Sequence, residues 1–317
     1  MDKITRAAMN GSMAACLPVP RRSYGDYGND QQMQAHSSTK HVMPSCNRLA
    51  GLSVLGAALF LAGCASQGQG GTAAAVPEIR PGILAGYLPA DARPDSLALV
   101  PPPPAPGSAA QALDDAIARG NQPLRDTARY RQATLDADLK FPQAAGIFSC
   151  ALDAPISQEQ TPRLYLLLRR TLADAGLSTY GVKNKYARAR PFMVNQQPSC
   201  TPAEEAMLSK DGSYPSGHNA IGWAWALILA EIAPQQSNAI LARGLAYGQS
   251  RLVCNVHWQS DATQGRIMGA ATVARLQADP TFRADLAAAK AEVAQVRAKG
   301  LKPTGDCRAE SEALAVK

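Results

Sequence analysis

The sequence predicts an all-α fold, a single-domain helical bundle, on three observations. Aromatic residues make up only 5% of the 317 residues, too few for the aromatic and β-branched strands of a sandwich or barrel. Ala and Leu, both strong helix formers, dominate the second half of the chain. Apolar residues there recur at three- and four-residue spacings between Pro and Gly punctuation, the period of helices with one buried face. With 46% hydrophobic and 18% charged residues, the chain has material for a real core, and its length suits one large or two medium domains.

Near the N-terminus, Leu49 to Leu61 is a run of apolar and small side chains followed by Ala62, Gly63 and Cys64. It is too short to span a bilayer and has the pattern of a secretory signal. Leu61-Ala62-Gly63-Cys64 resembles a bacterial lipobox, in which Cys64 would be diacylated and become the first mature residue. An ordinary signal peptide with a chance Cys is the plainer alternative. Met43, just ahead of Arg48, would give a signal of normal length. The expectation is an exported, periplasmic protein held to the membrane only through a lipid anchor. Residues 1–63 are then extension and signal, 64–84 a flexible tether rich in Gly, Ala, Ser and Gln, 85–300 the folded domain and 301–317 a tail.

Within the domain, Pro101 to Pro104 should be extended and helix-free. Helices are expected over Ser108 to Arg119, Leu124 to Leu139 and Pro162 to Ala175, with Gly120 and Gly176 as C-terminal stops. Ala220 to Ala233 is the strongest apolar stretch, interrupted by Glu231, and reads as a buried core helix shorter than a membrane span. Asn238 to Gln249, Asp261 to Leu276 and Asp279 to Lys299 complete about seven or eight helices.

Charge and cysteine usage narrow the partners. The formal net charge of +7 falls to +4 once residues 1–63, with six Lys/Arg and three Asp/Glu, are set aside. So small a charge implies no nucleic acid, although local Arg and Lys clusters can hold a single phosphate. Of seven cysteines, Cys16 and Cys46 precede the cleavage point and Cys64 is the lipidation candidate. Cys150, Cys200, Cys254 and Cys307 remain, enough for two disulfides in an oxidising compartment with three connectivities open, and with no CxxC cluster to suggest zinc.

Two histidines follow the signal, His218 and His257. A lone histidine is more often a hydrogen-bonded core residue than a catalyst. Here the neighbours change the reading. Asp261 follows His257 by four residues, which on one helix face lets the carboxylate accept an imidazole N–H. That fixes the tautomer and leaves the other ring nitrogen basic and free, as a nucleophile requires. Ser250-Arg251 upstream adds a guanidinium fork suited to two phosphate oxygens. Pro215-Ser216-Gly217-His218 stands at the start of the apolar helix, where free N–H groups and a Ser hydroxyl make an anion cradle. A Ser N-cap in a Pro-Gly turn is the plainer role. Lys183 and Arg190 lie two helical turns apart, but Pro191 biases Arg190 away from helical dihedrals. Nearby Lys185 and Arg188 read as a solvated basic patch.

In order, these residues make three blocks: Lys183 with Arg190-Pro191; Pro215-Ser216-Gly217-His218; and Ser250-Arg251 with His257 and Asp261. The chain resembles the type 2 phosphatidic acid phosphatase (PAP2) superfamily, and within it the class A bacterial non-specific acid phosphatases, over roughly residues 85 to 300. Gly212-Ser213-Tyr214 and His257-Trp258-Gln259-Ser260-Asp261 extend the likeness, and no signature position departs from the pattern. The resemblance implies phosphomonoester hydrolysis through a phosphohistidine, with no metal or other cofactor. His257 would attack phosphorus, Asp261 orient it and His218 protonate the leaving alkoxide. Lys183, Arg190, Ser216, Gly217 and Arg251 would hold the phosphate oxygens. Partners are then small-molecule phosphomonoesters, with a homo-oligomer left open.

Cys254 lies between Arg251 and His257, and Cys200 between the first two blocks, so we expect a Cys200–Cys254 bridge stapling the charged loops. Reduction should lower activity; full activity in Cys200→Ser would remove the staple from the functional account. One alternative is a vanadium-dependent haloperoxidase, whose similar pocket holds vanadate and which bromide oxidation would reveal. Another is a non-catalytic phosphate-binding envelope lipoprotein, which predicts a degenerate site. A membrane-lipid phosphatase fits less well, because no segment after Cys64 could span a bilayer.

Overall fold

The structure, a computed structural model, describes residues 75–316. The expected signal peptide, Cys64 and tether residues 64–74 lie outside the described residues. A short antiparallel hairpin, β1 (Glu78–Arg80) and β2 (Ile83–Leu84), opens the described chain. Helical segments follow: α1 (Ser96–Leu99), α2 (Ala109–Gly120), α3 (Ala128–Leu135), α4 (Ser149–Leu152), α5 (Pro162–Leu177), α6 (Tyr180–Tyr186) and α7 (Pro191–Asn195). The rest are α8 (Glu205–Leu208), α9 (Gly217–Ile232), α10 (Ser237–Val253), α11 (Gln259–Leu276), α12 (Pro280–Ala298) and α13 (Cys307–Ala315). The fold is all-α with one small hairpin.

Helix α9 is the axis of the core, flanked by α5, α10, α11 and α12. Its apolar run explains this position, because Ala220, Ala224, Trp225, Ile228 and Leu229 are all fully buried. Burying each large side chain contributes about 1.5–3 kcal/mol, and the Trp225 indole N–H stays satisfied by donating to the Leu168 carbonyl at 3.1 Å. Among the described residues no helix is long and apolar enough to cross a membrane.

Three local expectations differ from the structure. Leu124 to Leu139 is not one helix: Asp126 adopts a left-handed φ of 62°, and α3 begins only after Thr127 caps it. Gly176 does not stop α5, which runs on to Leu177; a Cβ there would sit 3.3 Å from Ile221, so the glycine serves packing on α9. The end of the tether forms the hairpin, and the tail forms α13, where composition alone suggested neither. Helix α13 is tied to α4 by the Cys150–Cys307 disulfide, and its Glu310 lies 3.4 Å from Nε of Arg243. Arg243 in turn pairs with Asp136, a fully buried carboxylate that also accepts from Ser250 and Gln132.

Close backbone approach sets the site. A Cβ on Gly265 of α11 would lie 2.4 Å from the Ser216 carbonyl, and one on Gly269 would lie 2.4 Å from that of Ala220. These glycines let α11 rest directly on the start of α9, where the Ser216 N–H donates to the Asp261 carbonyl at 3.0 Å. Gly265→Ala is expected to cost about 1–3 kcal/mol through overpacking and to lower kcat/KM by separating the two helix starts. Thermal melts paired with kinetics check both, and an unchanged kcat/KM would rule out the positional part.

Candidate active site

Five helix ends converge on the site. Helix α10 continues past Gln249 to Val253, so Ser250 and Arg251 occupy its last turn. The chain then breaks at Asn255, with a left-handed φ of 63°, and passes through His257 to Trp258, the N-cap of α11. The Cys200–Cys254 disulfide, one of two in the structure, clamps this break, and the Cys200 N–H donates to the Cys254 carbonyl at 3.1 Å. The His257 N–H donates to the Arg251 carbonyl at 3.3 Å, which holds the histidine backbone in place.

The expected His257–Asp261 pair is present, but its geometry is not that of two residues on one helix. His257 precedes α11, whereas Asp261 sits in its first turn. Asp261 Oδ2 accepts the Trp258 N–H at 2.9 Å and faces His257 Nδ1 at 3.2 Å. A carboxylate can only accept here, so the proton is on Nδ1 and Nε2 keeps its lone pair. That lone pair faces Nη1 of Arg190 at 3.2 Å. Burial, then Arg190, Lys183 and Arg251, push the His257 pKa well below the ordinary histidine value, so the ring stays neutral in mildly acidic solution.

Lys183 and Arg190 do not share a regular helix. Ala187 turns left-handed at φ 41° after α6, and Arg190 becomes the N-cap of α7. Both side chains are nevertheless buried and share Asp211, at 3.3 Å from Lys183 and 3.1 Å from Arg190. Lys183 also donates to the Gly212 carbonyl. Burial, reinforced by Arg190, lowers the Lys183 pKa to about 8. Arg251 differs. It is fully buried, forms no ion pair among the described residues, and its Nε has no hydrogen-bond partner. Burial lowers its pKa to about 10, which leaves it cationic at any working pH.

The start of α9 completes the arrangement. Ser216 caps the helix by accepting the Asn219 N–H at 3.2 Å, while the N–H groups of Gly217 and His218 have no intrahelical acceptor. His218 Nε2 lies 3.0 Å from the Ala137 carbonyl, so Nε2 is the protonated nitrogen and Nδ1 the one that titrates. Burial, then Arg251, lowers the His218 pKa well below the ordinary value. Its ring stacks against Tyr247, with centroids 6.4 Å apart and planes 26° from parallel.

One cavity of about 230 Å³ is lined by Lys183, Arg190, Gly217, His218 and His257 together with Asp211. Ser216, Arg251 and Asp261 stand behind this lining, all fully buried. Sequence reasoning missed Arg188. It is no solvated cation: it donates to Asp261 Oδ1 and Ser260 Oγ at 2.7 Å, and to Asp114 and Gln111 at 2.8 and 2.7 Å. Asp114, Asp136 and Asp211 were also missed, since lone carboxylates far from the blocks carried no local signal.

A profile of the PAP2 superfamily matches residues 164–282. The chain is 45% identical over 204 residues to a non-specific acid phosphatase of Providencia stuartii, covering 64% of this chain and 82% of that protein. It is 39% identical over 209 residues to an acid phosphatase of Zymomonas mobilis, 66% of this chain and 79% of that one. A non-specific acid phosphatase of Salmonella typhimurium is 38% identical over 195 residues, 61% of this chain and 78% of that protein. The blocks that form the cavity thus lie in a chain that belongs to the PAP2 superfamily, as an acid phosphatase of the class A bacterial type.

Proposed function

We propose that the protein hydrolyses phosphate monoesters without a metal ion, through a phosphohistidine on His257. The observation that carries this reading is Arg251, a fully buried guanidinium with no anion beside it among the described residues. An unpaired buried charge is costly. A phosphoryl group would supply the missing anion, cradled also by Lys183, Arg190, the Gly217 N–H and the Ser216 hydroxyl. Phosphoryl transfer demands mainly positioning and fixed positive charge around the equatorial oxygens, which three cations and a helix N-terminus provide.

In the first step the His257 Nε2 lone pair forms a bond to phosphorus as the ester P–O bond breaks. His218 gives its Nδ1 proton to the departing alkoxide, while Asp261 balances the positive charge growing on His257. In the second step water attacks phosphorus, His218 takes back a proton, the P–N bond breaks and phosphate leaves. The depressed pKa of His257 keeps the nucleophile unprotonated at acidic pH, which suits an acid phosphatase.

His218 is neutral in the free site, and a bound dianion raises its pKa by offsetting Arg251. Sulfate binding near pH 6 should therefore take up a proton, read by calorimetry in buffers of different ionisation enthalpy; His218→Asn should abolish the uptake, and no uptake by the unaltered protein would contradict the acid role. His218→Ala should slow alkyl phosphates by about 10²–10⁴-fold but p-nitrophenyl phosphate much less. Equal losses on both would assign His218 another task. The proposal as a whole is tested by a hydrolysis screen of nucleotides, sugar phosphates and phosphatidate with EDTA present, and activity lost to EDTA would sink metal independence.

The same proposal includes export and lipidation at Cys64. The two disulfides support an oxidising compartment. Labelling with a palmitate analogue in a bacterial host, lost in Cys64→Ser, tests the anchor.

A further inference from the structure

Beyond its charged end, the active-site cavity is walled by aliphatic side chains from four places in the chain. Ile79 and Ile83 come from the hairpin, Leu139 from the segment after α3, Leu172 and Leu177 from α5, and Ile221 from α9. The other polar side chains lining the cavity are Arg80, Thr179 and Tyr180, and Thr179 Oγ1 lies beside Gly217 at the charged end. No carboxylate other than Asp211, and no side-chain amide, lines it among the described residues, so the hydroxyls of a sugar would meet few partners there.

The hairpin is held firmly enough to serve as a wall. Asp174, a fully buried carboxylate on α5, accepts the N–H groups of Tyr87 and Leu88 at 2.9 Å each, and Arg170 donates to the Gly86 carbonyl at 3.0 Å. Arg170 also lies 3.6 Å over the Tyr87 ring. The strand β2 that leads into this anchor carries Ile83 to the cavity, although Ile79 remains 45% exposed.

Resting on the phosphomonoesterase reading above, we infer that this subsite receives the apolar alkyl or aryl group of the ester, and that Ile79 and Ile83 of the hairpin select for it. A group of six carbons fits a space of this size, and each methylene moved from water onto the aliphatic wall favours binding. Polyhydroxylated alcohols gain nothing from that wall and lose hydration.

The test compares n-hexyl phosphate with glucose 6-phosphate, both esters of primary alcohols, so that leaving-group chemistry is similar. For the full chain, kcat/KM should favour the hexyl ester by about tenfold or more. Ile79→Ser with Ile83→Ser should cut kcat/KM for the hexyl ester about tenfold through KM, and Leu139→Ser, on a separate segment, should act in the same direction. Inhibition by inorganic phosphate, which has no alcohol group to reach the hairpin, should keep its Ki in both variants and so reports on folding. Equal kcat/KM for the two esters, or a ratio unmoved in both variants, overturns the subsite assignment alone. Hydrolysis of neither ester overturns the phosphomonoesterase reading on which it rests.

Discussion

His257→Ala removes turnover, lowering kcat by about 10⁴-fold or more. The size follows from geometry: Nε2 is the lone-pair atom inside the ring of cations, fixed by the Nδ1 contact to Asp261 at 3.2 Å and by its backbone bond to Arg251. His218, the other imidazole lining the cavity, has its Nε2 turned to the Ala137 carbonyl at 3.0 Å. Truncation leaves Lys183, Arg190 and Arg251 in place, so the variant should still bind sulfate or vanadate. Quenching in alkaline denaturant and ³¹P detection should find a base-stable, acid-labile phosphoenzyme in the unaltered protein and none in the variant. A variant that keeps even a tenth of the activity would move the nucleophile elsewhere.

Arg188→Met is expected to damage both stability and catalysis. Asp261 is fully buried and Asp114 nearly so, and Arg188 is the cation that pairs with both, at 2.7 and 2.8 Å. Removing it strands two buried carboxylates, a loss of about 3–5 kcal/mol by the usual cost of breaking a buried pair. The pH signature separates this from plain destabilisation. Burial raises the Asp261 pKa, while Arg188 opposes that rise. Without Arg188 the carboxyl holds its proton to higher pH, and only the ionised form can accept Nδ1–H from His257. The acid limb of kcat/KM should therefore move to higher pH in Arg188→Met. Arg188→Lys should restore charge but only part of the four-partner fork, leaving an intermediate shift. An acid limb that stays in place would reduce Arg188 to a structural residue. The linked stability change has a definite sign: because the folded Asp261 pKa lies above the unfolded value, its stabilising contribution is greatest when protonated and fades as pH rises through the folded pKa.

The long helices were legible because periodicity and burial agree. Ala220 to Ala233 could bury its whole surface only at the centre, and α9 is there; the helices on either side differ from their expected bounds by a few residues at most. The hairpin and α13 were not legible, since neither carries a long apolar period. Their positions rest on partners distant in sequence, Asp174 for the segment after the hairpin, and Cys150 and Arg243 for α13. Cysteine spacing left three connectivities open; the place of Cys200 and Cys254 among the charged blocks pointed to the bridge that the structure forms, and Cys150–Cys307 completes the pairing.

The candidate site divides along the same line. Its chemical vocabulary was local: three short blocks supply two imidazoles, three cations and a helix start, and residue type with spacing identifies them. Even so, local spacing suggested the wrong reason for the His257–Asp261 pair, which forms across a helix cap instead of along a helix face. What Arg188, Asp114 and Asp211 do depended on packing between α2, α6, α8 and α11, because a charge is solvated or structural according to what lies opposite it in space. Sequence by itself determined the helical class, the core helix and the reactive groups, all properties of residue order within one or two turns. Only the tertiary structure decided which cation lacks an anion, which carboxylates Arg188 pairs with and which aliphatic walls face the reacting group, because burial and Coulomb interactions depend on distance through space.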